Sequence, residues 1–134
     1  MSDANVKLTE RFNEGMARGE VLWELIDPNI EVHDHDLPDG GAYQGHDGFG
    51  KWLEDWGAAW DSYTVEPEEY FEAGDSVVSV FTMVAKGKGS GIETRRRNAT
   101  VSLFKDAVLA RLDYYTTKEE AFEAAGLEQG TAAK

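Results

Sequence analysis

Ser76-Val77-Val78-Ser79-Val80-Phe81-Thr82-Met83-Val84-Ala85-Lys86 has the two-residue period of a β-strand and lies between two turn signals, Gly74-Asp75 and the loop Gly87 to Gly91. The same period fits Tyr63 to Ala73 before it, and Glu93 to Lys105 and Val108 to Thr116 after it, the last two separated by Asp106-Ala107. Four successive strands with short connections predict an antiparallel meander. Upstream of it the period is helical. Leu8, Phe12 and Met16 recur at every fourth residue between Ala4 and Arg18, behind Asp3 as a cap. Phe49, Trp52, Leu53, Trp56 and Trp60 form a second stripe from His46 to Trp60, which carries three of the chain's four tryptophans and is therefore the heaviest covering element. Between the stripes, a short helix from Glu20 to Ile26 is stopped by Asp27-Pro28. Ile30 to Asp36 then reads as a short strand and Leu37 to Gly45 as a turn-rich loop. Thr117-Lys118-Glu119-Glu120 is a capping box that opens a last helix, ended by Gly126. The expected architecture is one α+β domain, residues 1–127, with a flexible tail at 128–134. Its cone-shaped, strongly curved, mixed or antiparallel sheet wraps around two to three N-terminal helices and is followed by a short C-terminal helix.

A length of 134 residues suits one domain with a single core and leaves no room for a separate cofactor domain. The formal charge of −13 argues against a phosphate backbone as partner, because that affinity comes from basic side chains displacing counterions. Arg95, Arg96 and Arg97 do not alter this, since strand alternation sends Arg96 to one face and its neighbours to the other. The absence of cysteine excludes disulfides, thiolate nucleophiles and cysteine-ligated zinc. No apolar run of membrane-spanning length and no apolar signal core are present, so a soluble cytoplasmic protein with no membrane partner is expected. The acidity fits either a salty cytoplasm or plain solubility.

The chemistry is concentrated in Glu31-Val32-His33-Asp34-His35-Asp36, which runs from an apolar segment into Pro38-Asp39-Gly40-Gly41. Alternation puts His33 and His35 on one face and Asp34 and Asp36 on the other, so the four cannot meet on one metal without a bulge. A site built with His46 is conceivable, but surface histidines account for the same residues, and neither a metal nor a cofactor is assigned. Asp34 admits two readings, a proton-transfer group at the end of a buried strand or a turn aspartate bonding backbone amides. The glycine-rich loop at 87–91 lacks the strand-to-helix setting that phosphate binding needs, and no Gly-x-Ser-x-Gly is present.

These residues resemble a known family, the SnoaL-like branch of the nuclear transport factor 2-like superfamily. The likeness runs through His33-Asp34, Tyr43-Gln44-Gly45-His46-Asp47-Gly48, Glu66-Pro67-Glu68-Glu69, Gly74-Asp75, Gly89-Ser90-Gly91, Phe104-Lys105-Asp106 and Tyr115, then from Lys118-Glu119-Glu120-Ala121 to Ala125-Gly126-Leu127. It implies the cone and a cavity for a small hydrophobic molecule, while the scaffold itself hosts isomerases, cyclases, dehydratases, epoxide hydrolases and non-catalytic binding modules. By resemblance to ketosteroid isomerases, Asp34 is the general base. The matching donor positions hold Phe12, which cannot donate, and Thr100, which offers a neutral hydroxyl, so that route and the related cyclase route are both weakened. Resemblance to limonene-type epoxide hydrolases makes Asp113 an inward-facing carboxylate, yet Val80-Phe81-Thr82-Met83-Val84 lacks the Arg and Asp that should accompany it; a structural carboxylate paired with Arg111 is the other reading. On this basis Asp34 and Asp113 are the candidate catalytic residues. His33, Tyr43, Trp56, Trp60, Tyr63, Asn98, Thr100 and Tyr115 are the candidate substrate contacts. The implied activity is an isomerase, cyclase or lyase type of acid-base chemistry on a polyketide, terpenoid or steroid-like molecule, with a non-catalytic ligand-binding or dimerisation module as the alternative. Ala99, Val101 and Leu103 on the other side of the sheet predict a homodimer. Asp106-Ala107-Val108 stands where this family usually has Asp-Gly-Lys, which predicts a different turn or local strain there.

Overall fold

The computed structural model of the protein describes residues 2–18, 20–36 and 41–128. Its elements are α1 (Ser2–Ala17), β1 (Ile26–Asp34), β2 (Ala42–Gln44), α2 (Gly45–Ala59), β3 (Trp60–Ala73), β4 (Ser76–Gly87), β5 (Glu93–Lys105), β6 (Val108–Tyr115) and α3 (Lys118–Ala125). One six-stranded sheet has the order β2-β1-β6-β5-β4-β3. Strands β3 to β6 form the expected antiparallel meander, and β1 joins β6 in parallel, which makes the sheet mixed.

The sheet separates two cores. On the concave side α1 and α2 close over Ile30, Val32, Val77, Phe104 and Leu112, with Phe49 and Trp52 of α2 fully or nearly buried among them. On the convex side α3 lays Ala121 and Phe122 on Phe71, Val78, Val80, Ala99 and Val101. Thr117 accepts the amide of Glu120 at 3.1 Å and Gly126 takes a left-handed φ of 76°, so both predicted ends of α3 hold.

Several expectations are corrected. The helix expected from Glu20 to Ile26 is a single 3-10 turn, Trp23–Leu25, and β1 starts at Ile26 instead of Ile30. Pro28 is tolerated inside β1 because the pairing with β6 is interrupted between Ile26 and Glu31, where no ladder donor is needed. Helix α1 already includes Asp3, which therefore does not precede it as a cap. Within the expected loop, Ala42–Gln44 pair with β1, while residues 37–40 lie outside the described residues. Of the expected tail at 128–134, residues 129–134 also lie outside them. Ala99 and Val101 are buried under α3, which covers two of the three residues on which the expected homodimer rested, while Leu103 is partly buried outside that cluster. Of the two outcomes expected at the turn between β5 and β6, strain is the one seen: Asp106 and Ala107 keep the positive φ of a usual two-residue hairpin turn, 52° and 65°, which L-residues with a Cβ adopt at a cost.

Candidate functional site

Alternation along β1 sends Ile30, Val32 and Asp34 into the cone. Asp34 is 2 % exposed. One of its oxygens, Oδ2, accepts the indole N–H of Trp52 at 2.8 Å and of Trp56 at 3.2 Å; these rings are four residues apart and hence on one face of α2. The other, Oδ1, accepts the backbone N–H of Asp36 at 3.0 Å. Asp34 thus bonds a backbone amide, as the turn reading expects, and also points its carboxylate into the interior.

Register places further polar groups in line with it. Asp34 pairs with Tyr114, Tyr114 with Thr100, Thr100 with Ser79 and Ser79 with Tyr70, so one row crosses five strands on the concave face. Over this row lies a cavity of about 190 Å³ with an apolar lining that includes Phe12, Met16, Leu53, Phe81, Met83 and Leu112. Thr100, Ser102 and Tyr114 are among its polar groups, and Tyr63 also lines it. A second compartment of about 150 Å³ adjoins it, since Trp52 and Trp56 line both. There Asp34 is joined by Asp36, Tyr43, Asp55, Trp60 and Arg96.

The charges in this second compartment are mostly matched. Arg96 donates to Asp36 at 3.1 Å, and Lys51 donates to Asp55 at 2.7 Å. The Lys51 bond, helped by one from Tyr43, holds Asp55 below the ordinary carboxylate value. Burial pushes the Tyr43 phenol up, and its bond to Asp55 adds to that. Tyr114 is 3 % exposed and its hydroxyl makes no hydrogen bond among the described residues. Burial drives its ionisation far above the ordinary phenol value; Arg96 opposes this, and Asp36 and Asp34 reinforce it. Ser79 and Asn98, at 2 % and 1 % exposure, likewise carry side-chain polar atoms without a partner.

The structure therefore brings Asp34, Tyr43, Trp56, Trp60, Tyr63 and Thr100 to the two compartments. Asn98 lies on the same face, paired with Phe81, yet lines neither. His33, Asp113 and Tyr115 are on the opposite, convex face, which corrects the inward orientation expected of Asp113 and Tyr115. The reason is that Leu112 and Tyr114 fill the concave side, so their neighbours must face out. Outside, Arg111 donates to both oxygens of Asp113, at 2.8 and 3.2 Å, and His35 bonds it at 2.9 Å while stacking on Tyr115 with ring centroids 4.3 Å apart. Burial raises Asp113, but the bonds from Arg111 and His35 and the Arg111 charge outweigh it and hold the group below its ordinary value. Among the described residues no group of three or more His, Asp and Glu is placed to hold a metal ion, and His46 bonds the Ile26 carbonyl instead. Tyr114, Ser79 and the Asp36–Arg96 pair are additions that the sequence did not single out. The first two follow from Thr100 once the strand register is known.

No curated protein matches the sequence. Among solved structures, TerC co-crystallised with polyporic acid is 17 % identical, with a TM-score of 0.75 over 92 % of this chain and 98 % of TerC. A nuclear transport factor 2-like protein of unknown function from Burkholderia pseudomallei K96243 is 16 % identical, with a TM-score of 0.77 over 90 % and 95 %. A hypothetical protein with a ketosteroid isomerase-like fold from Catenulispora acidiphila DSM 44928, in complex with trimethylamine, is 18 % identical, with a TM-score of 0.63 over 83 % and 84 %. At such identities the likeness is one of fold. The model of the SnoaL-like domain family matches residues 7–112, from α1 into β6, so the chain belongs to the SnoaL-like domain family, on a fold shared with nuclear transport factor 2-like proteins.

Proposed function

We propose that the cone binds an apolar molecule bearing a few oxygens, of polyketide, terpenoid or steroid-like character, and that Asp34 moves a proton on it in an isomerase, cyclase or lyase type of reaction. The observation that carries this reading is the Asp34 carboxylate, buried where the apolar cavity meets the second compartment and held by Trp52 and Trp56. Its Oδ1 accepts a single bond from the Asp36 amide, which leaves a lone pair for a substrate proton. A proton taken from the bound molecule by Oδ1 would be returned to another of its atoms, so the reaction consumes nothing else. Thr100 and Tyr114 supply hydroxyls along the same row, while Phe12 supplies none. Polyporic acid and trimethylamine, the ligands of two relatives, differ in chemistry, so the fold leaves the ligand to these side chains.

The test begins with a thermal-shift screen of oxygenated polycyclic and terpenoid compounds, followed by turnover measurements on the hits. Asn at position 34 keeps an oxygen for the two indoles and cannot take the proton. Asp34→Asn should lower turnover by roughly 10²- to 10⁴-fold. An unchanged turnover number would assign the chemistry elsewhere. The Phe12 departure favours a second reading, a ligand-binding module without catalysis, which predicts tight hits that are never converted.

A further inference from the structure

The geometry points to an organic cation, an amine or quaternary ammonium group, as the head of the bound molecule, seated in the compartment of Asp34, Tyr43 and Trp60. This inference rests on the reading of the cone as a pocket for an apolar molecule and adds the chemistry of that molecule's polar end.

Charge supplies the first argument. Three of the eight residues lining the compartment are aspartates and one is arginine. Arg96 is committed to Asp36 at 3.1 Å, and Lys51, outside the lining, to Asp55 at 2.7 Å. Asp34 makes no ion pair among the described residues: its three donors are two indole N–H groups and one amide, all neutral. Dipoles of this kind orient a buried carboxylate without cancelling its charge, and a buried charge without a counter-ion is unfavourable. A cationic ligand would supply the missing charge. An anion would be repelled by the excess of carboxylates, and a neutral hydroxyl would donate a bond yet leave the charge in place. Since an ionised carboxylate only accepts, the compartment also favours a ligand group that donates or is positive.

Aromatic content is the second, independent argument. The remaining four lining residues are Tyr43, Trp52, Trp56 and Trp60. Indole and phenol rings attract organic cations through their quadrupoles, and aromatic rings combined with a carboxylate suit a methylated ammonium better than a hydrated metal ion. Tyr114 adds a third point. It lines the adjoining apolar cavity, its hydroxyl is buried and without a partner among the described residues, and the charges of Arg96, Asp36 and Asp34 all act on it. A polar oxygen is thus available where the apolar body of a ligand would join its charged head. The net charge of −13 further raises the local concentration of cations around the whole chain.

The experiment titrates the full chain with benzyltrimethylammonium and with its uncharged carbon isostere, neopentylbenzene, followed by tryptophan fluorescence and calorimetry. The two probes share a shape and differ in charge. The cation should bind at least about tenfold more tightly, a difference of roughly 1.4 kcal/mol. Asp34→Asn should abolish most of that preference while leaving the isostere's affinity unchanged. Equal binding by the wild type, or a preference that survives Asp34→Asn, overturns the cationic head and leaves the apolar pocket standing. Failure of both probes to bind overturns the pocket as well. Arg96→Gln is the second variant, because it removes the compartment's own positive charge and frees Asp36. It should tighten the cation severalfold, and unchanged or weaker binding would count against the inference even if Asp34→Asn failed to fold.

Discussion

Asp34 and Asp113 lie on adjacent parallel strands of one sheet, with Asp34 opposite Tyr114 and Asp113 opposite His33, and they project from opposite faces. Both are nearly buried, at 2 % and 7 % exposure. On the convex face Asp113 is met by two N–H groups of Arg111 and by the ring of His35, so its charge is matched by its own chain. On the concave face Asp34 has neutral donors, and Ser79, Asn98 and Tyr114 have polar atoms with no partner among the described residues. The same sheet thus satisfies one carboxylate internally and leaves the other short of a counter-charge. On the convex face Arg111 and His35 match the carboxylate within the fold, while on the concave face Asp34 and Tyr114 line the ligand space.

The sharpest way to break this contrast is through stability. Asp113→Ala leaves the Arg111 guanidinium and His35 without their acceptor, and should cost about 2 kcal/mol in urea unfolding. The figure lies below that of a fully buried pair because Arg111 is 43 % exposed and water can replace part of the loss. Affinity for any ligand of the cone should stay the same. The folded-state value of Asp113 is depressed, so its contribution is complete above the ordinary carboxylate range and is lost as pH falls through the lower folded value. Urea midpoints between about pH 3 and pH 7 should therefore fall less steeply on the acid side in Asp113→Asn than in the wild type.

Asp34→Asn comes next in size. Its amide oxygen still accepts both indoles, and only the bond from the Asp36 amide is lost, so the expected cost is about 1 kcal/mol by the same urea measurement. A larger loss than that of Asp113→Ala would reverse the comparison and make Asp34 the structural carboxylate.

Turn chemistry made most of this fold legible. Gly74-Asp75 and Asp106-Ala107 mark the hairpins, and Thr117 and Gly126 frame α3. The inward placement of Thr100 and Ser102 was also readable, because β5 turns Arg95 and Arg97 to the exposed side. The orientation of Asp113 was not. Leu112-Asp113-Tyr114-Tyr115 offers an apolar or aromatic residue at either parity, and Val77 to Val80 are all buried because each face of the sheet has a core of its own. A strand covered on both sides loses the alternation that reveals its faces. The two-tryptophan clamp on Asp34 depends on how α2 is docked over β1, which no local pattern encodes. Strand β2, three residues long, and the single turn at Trp23–Leu25 are too short for periodicity to define.

The smallest expected effect is the most discriminating for the concave face. Ser79 is 2 % exposed, pairs with Thr100 and Tyr70 across the row, and its hydroxyl makes no hydrogen bond among the described residues. Removing a satisfied buried hydroxyl costs its bond and strands the partner, whereas removing an unsatisfied one relieves a desolvated dipole. Ser79→Ala changes little else, because the methyl keeps the Cβ contacts and the lost volume is one oxygen. Its urea midpoint should correspond to a stability within about 0.5 kcal/mol of the wild type, on either side. A loss above about 1 kcal/mol would mean that the hydroxyl has a partner in the folded protein. The concave row would then be as internally satisfied as the Asp113 cluster, and the division of labour between the two faces would fail.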